Sequence, residues 1–255
     1  FQGCVFFSGS LLPLNYFAQA LSDEPFPSQL NLPSPFPPQH QNTLIVPVNT
    51  RYEARANSIA PIVELIATVW NARPGRYLVS FPSYPYLQDV LSHLQREHPH
   101  WPLLAQTGSA QDTANLLQAL GGEQYLALVI AGGSFAEGLD LQDNKLHGVI
   151  VVGTCMPPPS LQRELIRQQA DVRSNDDFGN NGFDVAYRFP GLNRVIQSGG
   201  RVIRSETDRG LVILADDRFT RSDTRRLLPS HWQPRVVKRS EDLIKPLQEF
   251  WSAPV

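Results

Sequence analysis

Cysteine, sustained apolar runs and an excess of either charge are all scarce in this 255-residue chain. Two cysteines, Cys4 and Cys155, supply neither a disulfide framework nor the paired spacing of a thiolate metal site. The six histidines are scattered, and "HLQREHPH" at 93–100 reads as a helix end with its exit loop rather than as zinc ligands. No structural metal is expected, and independence from disulfides fits a reducing, intracellular setting. No stretch approaches the ~20 apolar residues of a membrane span, so no membrane partner is expected. The apolar start "FQGCVFFSGSLLP" has no initiating Met and no basic leader, and reads as a buried strand. A net charge of −2 excludes a whole surface built for nucleic acid but leaves room for a local groove. Two motifs are also missing: a Gly-x-x-x-x-Gly-Lys-Ser/Thr loop, and an Asp-Glu pair placed after a strand to hold magnesium. The chain therefore carries no self-contained triphosphate site.

What is present is organised around alternating strands and helices. Apolar residues make up 42% of the chain, enough for one sizeable core. Six prolines between Pro25 and Pro38 exclude a regular helix or central strand there, leaving an extended surface connection. A strand over 4–7 and a helix starting near Pro13 precede it. Beyond it, 43–48, 76–81, "WPLLAQ", 125–133, 147–153 and "RGLVILAD" read as strands. The nearly continuous apolar runs at 125–133 and 147–153 are of the kind buried on both faces of a parallel sheet. Helical spacing marks "RANSIAPIVELIATVWNA", with Pro61 near its first turn, then "PYLQDVLSHLQREH", "DTANLLQAL", "SLQRELIRQQA" and "PGLNRVIQSGGRVIR". "DVRSNDDFGNNGFD" has no periodicity and reads as a loop. The pattern gives an open α/β sandwich, with helices on both faces of a mostly parallel sheet.

Open sheets bind ligands outside the carboxyl ends of their strands. "SFPSY" at 80–84 follows one strand, where Ser80 and Ser83 either cap the next helix or offer hydroxyls to a phosphate. "GGSFAEGLD" at 132–140 follows another, with paired glycines and two carboxylates, Glu137 and Asp140, that core packing does not need. On a helix, Gln197, Arg201 and Arg204 share one face, at steps of four and three. Gly199 and Gly200 keep the neighbouring face narrow. The arginines either pair with Glu206 and Asp208 or present two permanent planar cations to a phosphate. From Arg218 to Arg239 six Arg and one Lys face a single acid, Asp223, which is either a solvated tail or a phosphate-facing edge.

These residues resemble the carboxyl-terminal motor domain of the Rad3/XPD–DinG group of superfamily 2 DNA helicases. "VFFSGSLLPLNYF" (5–17) is similar to motif III, with Ser8 and Ser10 keeping hydroxyls in a departed core. "YLVSFPSYPYLQDV" (77–90) resembles motif IV, "GGSFAEGLDLQDNKLHGVIVVGTCMPPP" (132–159) motif V, and "QSGGRVIRSETDRGLVILADDRF" (197–219) motif VI with the strand after it. The resemblance implies a RecA-like three-layer α/β/α sandwich with a mostly parallel central sheet. Residues 1–24 would end the motif III segment of a preceding motor domain, 25–42 would be a Pro-rich connection, and 43–255 the second RecA-like domain. ATP and Mg2+ would be held mainly by the amino-terminal RecA-like domain, the partner this chain closes on, while both domains grip single-stranded DNA. By the same resemblance Arg201 and Arg204 are arginine fingers. Gln197, Glu137, Gly138, Asp140 and Gly200 belong to the nucleotide side, and Ser80, Ser83, Tyr84, Gly133 and Ser134 to the DNA side. The four-cysteine iron–sulfur insertion of many relatives lies in the other domain, so this chain leaves that cluster open. Alone, the chain is expected to lack efficient ATPase or helicase activity. The alternative class is a nucleic-acid-binding or protein-interaction module that has kept the fold and lost motor action.

Overall fold

The apolar runs become strands because each offers alternate side chains to two separate cores. A computed structural model describes residues 3–22, 27–108, 114, 116, 118–132, 145–173 and 181–253. The strands are β1 (Gln41–Val46), β2 (Arg76–Phe81), β3 (Leu103–Ala105), β4 (Tyr125–Ile130), β5 (Gly148–Val152), β6 (Gly210–Ala215) and the two-residue β7 (Arg235–Val236). They form one sheet in the order β3-β4-β2-β5-β6-β1-β7. Every pairing among the described strands is parallel, β1 with β6 in register from Gln41–Gly210 to Val46–Ala215. Odd and even positions divide cleanly. Leu44, Val46, Leu211 and Ile213 enter one core, whereas Ile45, Val212 and Leu214 enter the other.

Helices α2 (Arg55–Ala72), α3 (Tyr84–Glu97) and α7 (Ile244–Ser252) cover the first face through Ile62, Leu65, Ile66, Leu87, Leu94 and Leu247. Helix α5 (Phe189–Gly199) covers the second with Leu192, Val195 and Ile196, joined by Phe219 and Trp232. The chain crosses from β1 to β2 in one direction through α2 and from β5 to β6 in the other through α5. Crossovers of opposite direction lie on opposite faces, as a single hand of connection requires. Three shorter pieces complete the fold: α1 (Leu14–Leu21), α4 (Leu161–Arg173) and α6 (Ser222–Arg225).

Three expectations are corrected. Residues 4–7 form no strand: Val5 and Phe7 are exposed, and no described strand lies beside them to pair with. The helix marked by its spacing is α2 at both ends, Arg55–Ala72, with Pro61 in its second turn. The "PGLNRVIQSGGRVIR" helix stops at Gly199, well short of Arg204. Of the stretch 171–184 expected to be a loop, residues 171–173 end α4, and residues 174–180 lie outside the described residues. The helix read in "DTANLLQAL" falls partly outside the described residues. Of that segment, Leu116 and Leu120 are buried in the second core.

Candidate functional site

Helix α5 runs from the carboxyl edge of the sheet to its amino edge. Near its start a Cβ on Gly191 would lie 2.7 Å from the Thr154 carbonyl oxygen, just past the end of β5. At its end a Cβ on Gly199 would lie 2.5 Å from the Trp232 ring, so only glycine lets that indole close the second core. Gly200 caps the helix, its N–H donating to the Ile196 carbonyl at 2.8 Å. The chain then leaves the helical path, and the shared face of Gln197, Arg201 and Arg204 does not exist. Gln197 is an exposed residue of the last turn. Val202 and Ile203, 1% and 9% exposed, anchor the segment beyond it, with Val202 packed over Gly210 at the first residue of β6.

The two arginines flank that anchor. Arg201 is half-buried and Arg204 exposed. Burial pulls the Arg201 pKa below its ordinary value, and the neighbouring Arg204 charge pulls it further in the same direction. Two permanent cations thus share one loop, one of them partly stripped of water, an arrangement relieved by a polyanion with planar oxygen acceptors. The loop is shaped by Asp208, which is 6% exposed. Its Oδ2 accepts the backbone N–H groups of Arg204 and Ser205, each at 2.8 Å, and its Oδ1 lies 3.0 Å from Lys145 Nζ. Burial pushes the Asp208 carboxyl up, but the Arg204 amide, Lys145 and the Ser205 groups together hold it below its ordinary pKa. Asp208 therefore serves the backbone of the arginine loop, a role sequence reading had framed only as side-chain pairing.

A second constellation lies at the opposite edge, one strand length away, about 20 Å for six residues. Here Thr50, after β1, donates to the fully buried Asp216, after β6. Arg218 forks onto the same carboxylate, Nε to Oδ1 and Nη2 to Oδ2, both at 2.8 Å. Arg51 holds Asp217 at 2.8 Å. Gly153, after β5, takes φ +77°, with Thr50 Oγ1 3.1 Å from where a Cβ would stand, so a side chain would be strained twice there. Ser83 stands at the N-cap of α3, yet its hydroxyl makes no cap bond and instead accepts Arg55 Nη1 at 3.3 Å. Tyr84, 38% exposed, donates to the Thr107 carbonyl at 3.4 Å.

The sequence-derived residues divide accordingly. Gln197, Gly200, Arg201 and Arg204 gather at the amino edge, and Ser83 and Tyr84 at the carboxyl edge. Ser80 is 2% exposed within β2, between Val129 and Val151, and presents nothing to a ligand. Gly133, Ser134, Glu137, Gly138 and Asp140 lie outside the described residues. The basic stretch 218–239 is largely committed locally: Arg218 to Asp216, Arg221 to Asp223 at 3.2 Å, Arg225 to the Pro234 carbonyl at 2.9 Å, and Arg239 to Glu241 and Asp242 at 2.6 and 3.0 Å. Sequence reasoning missed Tyr52 and Arg55, and took Asp208 only as a side-chain partner for the arginines. The run "TRYEAR" at 50–55, two arginines and a tyrosine ahead of a helix, was the available signal. Among the described residues no group of three His, Cys, Asp or Glu could hold a metal ion, and no helix is long and apolar enough to cross a membrane.

A parallel sheet covered on both faces, with paired arginines between the last crossover helix and the strand after it, defines a RecA-like α/β domain. Residues 66–235 match the helicase C-terminal domain family, and the chain belongs to it, in the Rad3/XPD-like branch. It is 27% identical over 272 residues to regulator of telomere elongation helicase 1 from Homo sapiens, covering 96% of this chain and 22% of that protein. It is 25% identical to the XPD/RAD3 helicase subunit of general transcription and DNA repair factor IIH from Saccharomyces cerevisiae, over 69% of this chain and 24% of that one. A solved XPD helicase structure superposes with a TM-score of 0.68 at 22% identity, over 91% of this chain and 42% of the other. The chain thus spans about a fifth of the length of its telomere-helicase relatives.

Proposed function

We propose that this chain is the second motor domain of an ATP-dependent DNA helicase, closing on ATP and Mg2+ held by a preceding RecA-like domain and gripping single-stranded DNA. The observation that carries it is the pair Arg201, half-buried, and Arg204, exposed, on one loop that Asp208 fixes from beneath. Transfer of the γ-phosphoryl group spreads negative charge over its oxygens, and planar cations placed there lower the barrier. Arg204, the more exposed, reaches across the cleft, while Arg201 and Gln197 set the near wall. Glu137, Gly138 and Asp140 join them from the motif V segment, linking nucleotide state to the DNA-facing loop. In this reading residues 1–24 belong with the preceding domain, 25–42 connect, and 43–255 form the second motor.

The test is ATP hydrolysis by the intact polypeptide with and without single-stranded DNA, for wild type, Arg201→Ala and Arg204→Ala, with folding checked by circular dichroism. Arg204→Ala is expected to lose roughly a hundredfold or more in DNA-stimulated hydrolysis, the scale of an arginine finger. Near-normal hydrolysis in that variant would remove Arg204 from the role. An intact wild type that binds DNA but hydrolyses nothing would favour the binding-module alternative.

A further inference from the structure

The carboxyl edge holds an arrangement that no motif announced. Tyr52, between β1 and α2, is 81% exposed. The guanidinium carbon of Arg55, the first residue of α2, stands 5.1 Å from the centroid of the Tyr52 ring and 5.3 Å from that of Tyr86. Arg55 Nη1 donates to Ser83 Oγ, and no described residue partners Nη2. The layer beneath is rigid. Tyr86 is 1% exposed, and its hydroxyl shares a 2.5 Å hydrogen bond with Ser58, whose Oγ also donates to the Arg55 carbonyl at 2.7 Å. A packing role accounts for Tyr86 and for one face of Arg55. It does not account for Tyr52, whose ring lies against the cation on one side and against solvent on nearly all the rest.

An aromatic plane backed by a fixed guanidinium suits a ligand that has both a flat π-face and a phosphate. The groove next door fits such a ligand less well. It measures about 540 Å3 and brings Glu64 and Glu241 together with Lys238 and Arg239, so its charges cancel. The row Tyr52, Arg55, Ser83 and Tyr84, by contrast, crosses from the β1–α2 connection to the start of α3, with the half-buried Arg55 guanidinium held between the Tyr52 and Tyr86 rings and no described carboxylate bonded to it. We infer that Tyr52 and Arg55 form a subsite for single-stranded nucleic acid, one base stacking on Tyr52 and the adjoining phosphate meeting Arg55 Nη2. The subsite rests on the reading of this domain as one that grips a single strand, and assigns two residues to that grip.

Equilibrium binding of a fluorescently labelled oligo-dT to the intact protein, without nucleotide and over a series of salt concentrations, tests it. The variants are Tyr52→Ala, Tyr52→Trp, Arg55→Ala and Arg55→Lys, and an abasic oligomer of equal length serves as the second ligand. Tyr52→Ala is expected to weaken oligo-dT binding roughly 5- to 150-fold, the range that one base–aromatic stack provides. Tyr52→Trp restores it, and the abasic oligomer does not distinguish Tyr52→Ala from wild type. Arg55→Ala lowers the log–log salt slope by about 0.7, one single-strand phosphate, and Arg55→Lys keeps the wild-type slope. Because Tyr52 is so exposed, its replacement leaves the fold in place even if an Arg55 variant is destabilised. Wild-type binding matched in affinity and slope by both alanine variants would overturn the subsite and leave the motor reading standing. Equal weakening of Tyr52→Ala on oligo-dT and on the abasic oligomer would overturn the stacking. Failure of the wild type to bind oligo-dT at any salt would overturn the motor reading and the subsite with it.

Discussion

Asp208 illustrates how a single buried polar group at the amino edge sets the geometry of a candidate functional loop. Removing the Asp208 carboxylate leaves the Arg204 and Ser205 backbone N–H groups without their acceptor, while Lys145 keeps Thr207 Oγ1 at 2.7 Å; the loss is ~1–3 kcal/mol for each buried group left unsatisfied. Asp208→Ala is therefore expected to lower the intact protein's thermal midpoint by several degrees and its DNA-stimulated ATP turnover by about tenfold or more, with Asp208→Glu recovering part of the turnover. Turnover at the wild-type level in a folded Asp208→Ala protein would show that the loop holds its shape unaided. His147 accepts the Arg76 N–H through Nδ1 at 3.1 Å. Burial, aided by Arg73 and Arg76, pushes its pKa down to about 4 from 6.5. Between those values the unfolded chain binds a proton that the folded chain does not. The His147 contribution to stability is therefore complete above pH 6.5, falls as the pH drops towards 4, and is lost below that. Thermal midpoints across this window should fall less steeply in His147→Asn than in wild type, and parallel curves would contradict the assignment. Cys155, fully enclosed with its thiol pushed up to about 12 by burial, is expected to resist alkylation in the native state.

At the scale of elements, the sheet was legible and the end of α5 was not. Strands β1, β2, β4, β5 and β6 announce themselves as short apolar runs because each is sandwiched between two cores, which leaves few positions for polar residues. β7 has two residues and no such signature. The misplacement at α5 has a specific cause: Gln197, Arg201 and Arg204 continue a helical spacing past the point where the backbone stops following it. Gly199 and Gly200 carried the correct signal, one admitting Trp232 and the other closing the helix. Gly199→Val should collide with Trp232 and reduce stability by ~1–3 kcal/mol or more, as overpacked cores do. Trp232→Leu in the same chain should return part of that loss. Denaturant midpoints of the two single variants and the double variant measure the coupling, and strict additivity would mean that the close approach is not what fixes glycine there.

For the whole molecule, what the sequence could not reveal is which residues share an edge. Thr50 and Asp216 are 166 positions apart, and Arg55 and Ser83 are 28 apart. Only the strand order brings β1 beside β6 and sets the β1–α2 connection near the start of α3. The resulting division places a candidate nucleotide-facing loop at one end of the sheet and a candidate single-strand surface at the other, with β6 running from the first to the second. On the proposed reading, the parallel sheet between the two ends would let domain closure at one move a strand held at the other. This chain without a preceding motor domain is expected to show no ATP turnover above background, and to support it when that domain is supplied in the same polypeptide. The most direct measurement is the dependence of ATP turnover on single-stranded DNA concentration for the intact wild type, Arg204→Ala and Tyr52→Ala. Division of labour between the two edges requires Arg204→Ala to lower the plateau about a hundredfold with its half-saturating DNA concentration within about twofold of wild type. It requires Tyr52→Ala to raise the half-saturating concentration fivefold or more and to move it further than the plateau. Both variants shifting the same parameter, or neither shifting any, would contradict it.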